Sequence, residues 1–376
     1  MRIVIAMDSF KGSLTSAEAC HAAAEGVLSA SPSAKVSIIP LSDGGEGLAD
    51  VLMQSLGGRY VEKTVTGPSG DLVDAGYVVT GTGDMAVIEM AKASGLMLVP
   101  EAKRDPYTAT SYGTGELIRD ALDRGIRKFI IGIGGSATND GGAGMLQALG
   151  FGLLNGRGED IPRGAAGLGE LVRIDVSTVC PEIYKSSFTA ACDVSNPLCG
   201  SSGASAVFAP QKGAGSEDVH VLDGLLSHFA DITSIYFPEA DPDTPGSGAA
   251  GGMGFALRSY MHAGLESGID IVIRETCLED NISECDLVLT GEGKIDRQTA
   301  MGKVISGIAG VSRKYKKKVI AFAGVVEDGD EVCRICGVER CCMINQDMTP
   351  GVNVMDRDVA YNNLKDAVYK VAAEYI

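Results

Sequence analysis

The residues best suited to chemistry sit in glycine-rich loops, and the densest of these lies between Lys128 and Gly150, KFIIGIGGSATNDGGAGMLQALG. Gly134, Gly135, Gly141 and Gly142 surround Ser136, Thr138, Asn139 and Asp140. Glycine accepts positive φ and lets backbone N–H groups face outward, so such a loop before a helix makes an anion site without a cationic side chain. The hydroxyls, amide and carboxylate at the same turn add donors and a metal-ligand type. Phosphate, with a metal, is the chemistry this suggests. Two other readings stay open. Tight turns use glycine too, and Gly132, Gly134 and Ala137 fit a dinucleotide pattern G-x-G-x-x-A. That pattern wants an acidic residue about twenty positions on, near Glu159 or Asp160, and neither ends an obvious strand.

Other charged residues fall in similar loops. Lys11 lies in Ser9-Phe10-Lys11-Gly12-Ser13, and Ser42, Asp43, Gly44, Gly45 and Glu46 follow a second apolar run. Asp193 opens the loop after Phe188–Cys192, Lys212 ends Phe208-Ala209-Pro210-Gln211-Lys212, and Gly291, Glu292, Lys294, Asp296 and Arg297 form a fourth cluster. Lys11 equally suits a solvated loop, and Asp43 and Glu46 suit a helix N-terminus.

The elements that must position these loops are legible in outline. Residues 2 to 7 read as a buried strand, with Ser16 as N-cap of a helix over 17 to 29. Residues 36 to 41 read as a strand and 48 to 56 as a helix. Both strands feed a polar loop before a helix, and ligands of open parallel sheets bind beyond the strands' carboxyl ends. From 60 to 89 the pattern turns to short antiparallel strands. Helices are expected over 112 to 122, 218 to 237 and 252 to 265, with 238 to 252 as the most flexible stretch. Residues 269 to 273 and 286 to 290 read as strands, 291 to 297 as a loop, 302 to 314 as a helix, 318 to 326 and 341 to 344 as strands, and 357 to 374 as a helix. The fold class is α/β: a discontinuous Rossmann-like parallel-sheet domain, 1 to 66 plus 286 to 376, with a mixed α/β domain, 67 to 285, inserted.

Bulk properties bound the function. A chain of 376 residues exceeds one ordinary core, so two domains are expected. A net charge of −17 argues against nucleic-acid or membrane-surface partners, which need a clustered positive field. Any positive field for an anionic substrate must then be local. Fifty glycines in 376 residues, about 13% against a usual ~7%, without G-x-y period, indicate many tight loops. Met1-Arg2 leads into only five apolar residues before Asp8, too few for a secretory signal, and no run approaches a membrane span. A cytoplasmic protein with reduced thiols is expected. Cys333-x-x-Cys336 with Cys341 and Cys342 resembles half a zinc site or a redox pair, but no second spaced pair or nearby His completes it. Buried, incidental thiols are the expectation.

Taken together, DSFKGSLTS at 8 to 16, SDGGEG at 42 to 47, CDVSNPLCG at 192 to 200, FAPQKGA at 208 to 214, TGEGKIDRQT at 290 to 299 and the central glycine loop resemble the glycerate kinase family from end to end. The resemblance implies ATP-dependent phosphorylation of D-glycerate, giving 2-phosphoglycerate, with Mg2+, in a discontinuous Rossmann-like fold with an inserted domain. Ala209 departs from the glycine expected in that motif.

The residues suit phosphoryl transfer on their own terms, which needs positioning, charge neutralisation, a metal and a proton acceptor. There is no G-x-x-x-x-G-K-[ST], so the phosphates would lie on the N–H groups of the 132 to 145 loop. Lys11 and Lys212 are the cations for the substrate carboxylate or γ-phosphate. Ser42, Asp43, Gly44, Gly45, Gly291 and Glu292 are expected at the substrate. Asp43, Asp193 and Asp296 are candidates for metal ligand or base, with Asp193 favoured as base and Asp296, beside Asp43, as magnesium ligand. Asp296 would serve equally well as a helix cap. The histidines at 21, 220, 228 and 262 lie outside every motif. A nicotinamide-dependent hydroxy-acid oxidoreductase and a two-lobed ligand sensor remain as rival classes, as do the 3-phosphorylated product and a homo-oligomer.

Overall fold

The structure is a computed structural model, and it describes every residue except 43, 45, 46, 301–303, 346–351 and 376, and the side chains of 298 and 300. The chain divides into two compact units, Met1–Asp43 with Ile269–Ile376, and Gly44–Gly268.

In chain order, β1 (Arg2–Met7) and β2 (Lys35–Ile38) begin the first unit. The second unit carries β3 (Gly58–Thr66), β4 (Leu72–Thr80), β5 (Met85–Glu89), β6 (Lys128–Gly132), β7 (Gly152–Leu154), β8 (Arg173–Asp175), β9 (Ser187–Ala191) and β10 (Gly264–Glu266). The first unit resumes with β11 (Leu287–Ile295), β12 (Lys318–Val326) and β13 (Arg340–Met343).

The first unit is an all-parallel sheet, β13-β12-β11-β1-β2. Its interior strand β1, between β11 and β2, buries all of Ile3–Met7, as a strand covered on both faces must, which explains why its sequence is continuously apolar. Ile3, Ile5, Leu289 and Phe322 join Ala19, Ala23, Leu364 and Val368 in one core, so the helices Ser16–Ala30 and Arg357–Tyr375 cover one face. The first of these is capped by Thr15, not Ser16: Thr15 Oγ1 accepts from Glu18 N at 3.2 Å, and Glu18 accepts from Thr15 N at 2.9 Å.

The second unit is built on a mixed six-stranded sheet, β10-β9-β6-β5-β4-β3, parallel from β10 to β5 and antiparallel from β5 to β3. β7 and β8 form a separate ribbon. The domain bounds therefore differ from the expected ones. All nine residues of β3 pair with β4, which carries 58–66 into the second unit, and 269–285 group with the first.

Three local expectations are corrected. Residues 269–273 lie in a helix, Gly268–Glu275: Ile269 and Val272, three apart, are both buried, so the alternation of the isoleucines was misleading. Residues 291–295 continue β11 as strand, because Gly291, Glu292, Lys294 and Ile295 all find register partners on β12. The stretch near 238–252 is no loose linker: Gly246, Ser247, Gly248 and Ala249 are buried, and the helix Ala249–Met261 begins with three left-handed residues, Ala250, Gly251 and Gly252.

Candidate functional site

In the second unit, register aligns Glu89, Gly132, Ala191 and Glu266 across the carboxyl ends of β5, β6, β9 and β10. The glycine loop leaves the sheet from Gly132 and Asp193 follows β9. Both therefore emerge at the sheet edge where ligands of parallel sheets bind. Gly134 and Gly135 are exposed, while Ser136, Thr138, Asn139, Asp140, Gly141 and Gly142 are buried. The loop is tied down at both ends. Leu96 N donates to Gly135 O at 2.8 Å, Ala137 N to Ser94 O at 2.9 Å, and Gly141 N to Gly251 O at 2.9 Å.

Asp140 points inward. Its carboxylate accepts from Ser111 N and Ser111 Oγ, each at 2.8 Å, from Gly142 N at 3.1 Å and from Gly144 N at 3.2 Å. Burial raises its pKa, and these four donors oppose that rise. Asp140 thus sets the loop's shape against the start of the helix Tyr112–Asp123. Lys212 is also internal, 1% exposed. Its Nζ donates to Thr138 O at 2.6 Å and to Ser136 Oγ at 3.0 Å. Burial pulls the amine down to about 7, with the charge of Asp140 working against that fall. Lys212 places positive charge beneath the loop.

Two polar atoms of the loop are buried without a partner, Thr138 Oγ1 and Asn139 Oδ1. Asn139 Nδ2 donates to Ser205 Oγ at 3.0 Å. Because a hydroxyl can donate or accept, one end of this amide stays unpaired in either orientation. Unpaired buried groups are costly, so the loop retains unmet capacity for an oxygen-bearing ligand or water.

Asp193 is exposed, and its Oδ1 accepts from Gly268 N at 3.0 Å. Gly44 lies against the same glycine: a side-chain carbon at Gly44 would stand 2.6 Å from Gly268 Cα and 3.4 Å from Ala191 Cβ. Glu89 Oε1 accepts from Gly47 N at 2.7 Å and Leu48 N at 3.0 Å, capping the helix Leu48–Leu56. Burial raises the pKa of Glu89, and Lys92 and the two amides counter it. Asp43, Gly45 and Glu46 lie outside the described residues.

In the first unit, β1 and β11 run side by side with Met7 opposite Gly291. Asp8 N donates to Gly291 O at 2.9 Å, and Asp8 Oδ1 accepts from Ser9 N at 2.6 Å. Ser42 is buried, just after Leu41 N donates to Met7 O. Lys11 is exposed, and its backbone passes 3.3 Å from where a side-chain carbon at Gly293 would sit. Glu292 is buried and accepts from Thr299 Oγ1 at 2.6 Å. Asp296 N is held by the same hydroxyl at 3.1 Å, so Thr299 fixes the turn that presents Asp296. Lys294 Nζ lies 3.6 Å from Asp296 and 2.9 Å from Glu327, and Arg297 pairs with Glu331 and Asp328. Lys11 and Ser42 thus follow β1 and β2, Gly291 and Glu292 lie within β11 level with the end of β1, and Asp296 follows β11.

Sequence reasoning passed over Ser111, Ser205, Glu89 and Gly251. Only Glu89 left a local signal, a lone carboxylate closing an apolar strand. Nor does the dinucleotide reading find its acid: Glu159 and Asp160 are exposed, beside the β7–β8 ribbon and not in the six-stranded sheet. Magnesium wants hard oxygen donors, and the Asp296 carboxylate is of that type. Among the described residues no three acidic, His or Cys side chains cluster as a metal cage.

A two-unit α/β protein with a glycine loop over a buried lysine and carboxylates at the parallel strand ends has the parts of a small-molecule phosphotransferase. The family model for the glycerate kinase family matches residues 3–375, and the chain belongs to that family. A glycerate kinase of Bacillus subtilis (strain 168) is 49% identical over 326 residues, 87% of this chain and 85% of that one. A glycerate 2-kinase of Escherichia coli (strain K12) is 44% identical over 375 residues, covering 99% and 97%. A crystal structure of a Salmonella typhimurium LT2 chain assigned as glycerate kinase 2 superposes with TM-score 0.91 at 44% identity, covering 100% and 98%. The two-domain α/β class expected from sequence stands with these findings. No helix among the described residues is long and apolar enough to cross a membrane.

Proposed function

We propose that the protein transfers the terminal phosphoryl group of ATP to the 2-hydroxyl of D-glycerate, giving 2-phosphoglycerate. The observation that carries this reading is the glycine loop, whose exposed Gly134 and Gly135 stand over Ser136 and Thr138, themselves bonded to a buried lysine. Backbone amides and one buried charge stabilise an anion without side chains that would crowd it.

In this reading Gly134, Gly135 and Ser136 hold phosphate oxygens, and Lys212 supplies charge from below. Lys11 neutralises the substrate carboxylate. Ser42, Gly44, Gly291 and Glu292 position the three-carbon acid, together with Asp43 and Gly45. Asp193 accepts the hydroxyl proton as it leaves; since an alcohol is a poor acid, this acts late and positioning contributes more. Asp296 and Asp43 would hold Mg2+, which would offset the negative charge of the phosphates.

Phosphorus NMR of the product from protein, ATP, magnesium and D-glycerate tests the reading. A 2-phosphoglycerate resonance supports it. A 3-phosphoglycerate resonance would overturn the assigned hydroxyl, and no phosphorylated acid would overturn the acceptor.

A further inference from the structure

The cysteines near the chain's end are not arranged as their spacing suggests. Cys336, the second residue of the C-x-x-C, is buried, and the neighbour of Cys333 is Cys341 on β13, eight residues on. Cys333 ends the short helix Gly329–Val332, and its Sγ lies 3.4 Å from Cys341 Sγ, donating to it. Both side chains are half-buried. They open on a groove of about 680 Å³ lined by Asp328, Asp330, Glu331, Glu339 and Arg340.

We propose that Cys333 and Cys341 are a modification site, a dithiol that a small neutral peroxide converts reversibly to a disulfide. A disulfide requires about 2.05 Å between sulfurs, so the pair must close by roughly 1.4 Å, within reach of side-chain rotation at a turn. The surplus of carboxylates around the groove disfavours anionic oxidants and admits an uncharged one. In the first step the Cys333 thiolate attacks a peroxide oxygen. The O–O bond breaks, an S–O bond forms, and hydroxide leaves as water with the Cys333 proton. In the second, Cys341 sulfur attacks the sulfenic sulfur. The S–S bond forms, the S–O bond breaks, and the Cys341 proton departs in a second water. One peroxide gains the two electrons that two thiols lose. Burial pushes the Cys341 thiol up, so Cys341 is the poorer nucleophile of the two and the first attack falls to Cys333. The cross-link would close the loop 333–341, which directly follows Asp328 and Glu331, the partners of Arg297.

Trypsin cuts after Arg334 and Arg340, leaving Cys333 in 319–334, Cys336 in 335–340 and Cys341 with Cys342 in 341–357. Full-length reduced protein, treated with hydrogen peroxide and alkylated under denaturing conditions, is expected to yield 319–334 joined to 341–357. The species should vanish on thiol reduction and in Cys341→Ser, and persist in Cys336→Ser and Cys342→Ser. A link through 335–340, a link that survives Cys341→Ser, or Cys333 recovered only alkylated or as sulfinic acid would overturn the proposal.

Discussion

Lys212 donates to the carbonyl of Thr138 at 2.6 Å from a position closed to solvent, so the glycine loop is held by a charge it cannot share with water. The amine titrates near 7 in the folded chain against an ordinary 10.5.

The sign of the pH effect follows from that depressed value. Below about pH 7 both states hold the proton, and the fold bears the full cost of a buried charge. As pH rises through 7 the native state sheds the proton first, while the unfolded chain keeps it to near 10.5. Stability then climbs by up to ~1.4 kcal/mol per unit across this window. Lys212→Met should flatten that climb while lowering turnover by about 10²-fold or more. Urea denaturation between about pH 6.5 and pH 9.5 measures the slope, and a Met variant with the wild-type slope would refute the assignment.

Binding of a phosphate-bearing nucleotide should restore the proton. An anion on the loop stabilises the charged amine, so ATP is expected to bind with net proton uptake near pH 8. Calorimetry in buffers of different ionisation enthalpy reads this directly. Zero uptake would place the phosphates away from Lys212.

Asp140→Asn is expected to cost about 2–4 kcal/mol, since three donors point at Oδ2 and one at Oδ1, and an NH2 in either place faces a donor and cannot accept from it. Chemical denaturation checks the figure. The variant should also bind ATP weakly, because the loop loses the acceptor that folds it.

Gly251→Ala tests the support beneath the loop. A side-chain carbon there would meet Thr138 O at 2.1 Å, at φ +67°. The control is Gly83→Ala, with φ +76° and nothing within 4 Å, which should cost about 1 kcal/mol from backbone strain alone. Gly251→Ala should cost more and should raise the KM for ATP, whereas Gly83→Ala should leave it unchanged. Steady-state kinetics on both variants separates the two effects.

Asp193→Asn should lower kcat by about 10²-fold or more with little change in stability, because the side chain is exposed and an amide oxygen can still accept from Gly268 N. An unaltered kcat would move the base elsewhere.

The strand-loop-helix around 128–150 was legible because its glycines have a local purpose, and β1 because a doubly covered strand is apolar throughout. Residues 269–273 were not: their alternation is equally compatible with a helix whose inner face takes Ile269 and Val272, and packing decided between them. The glycines and charges of 291–295 resemble a loop, yet β12 runs alongside this backbone and draws it into the sheet. Within the site, the motifs located the loop but not which of its residues face inward. That depends on Ser111 and Gly251, far along the chain, whose partners exist only after folding.

Gly44 and Gly268, the first and last residues of the second unit, touch each other. A module whose two ends meet is a closed loop of chain, entered and left at a single point. A very short bridge from Gly268 back to Gly44 would close this unit's backbone on itself without stretching it, so new ends can be opened elsewhere in it with the sheet order unchanged.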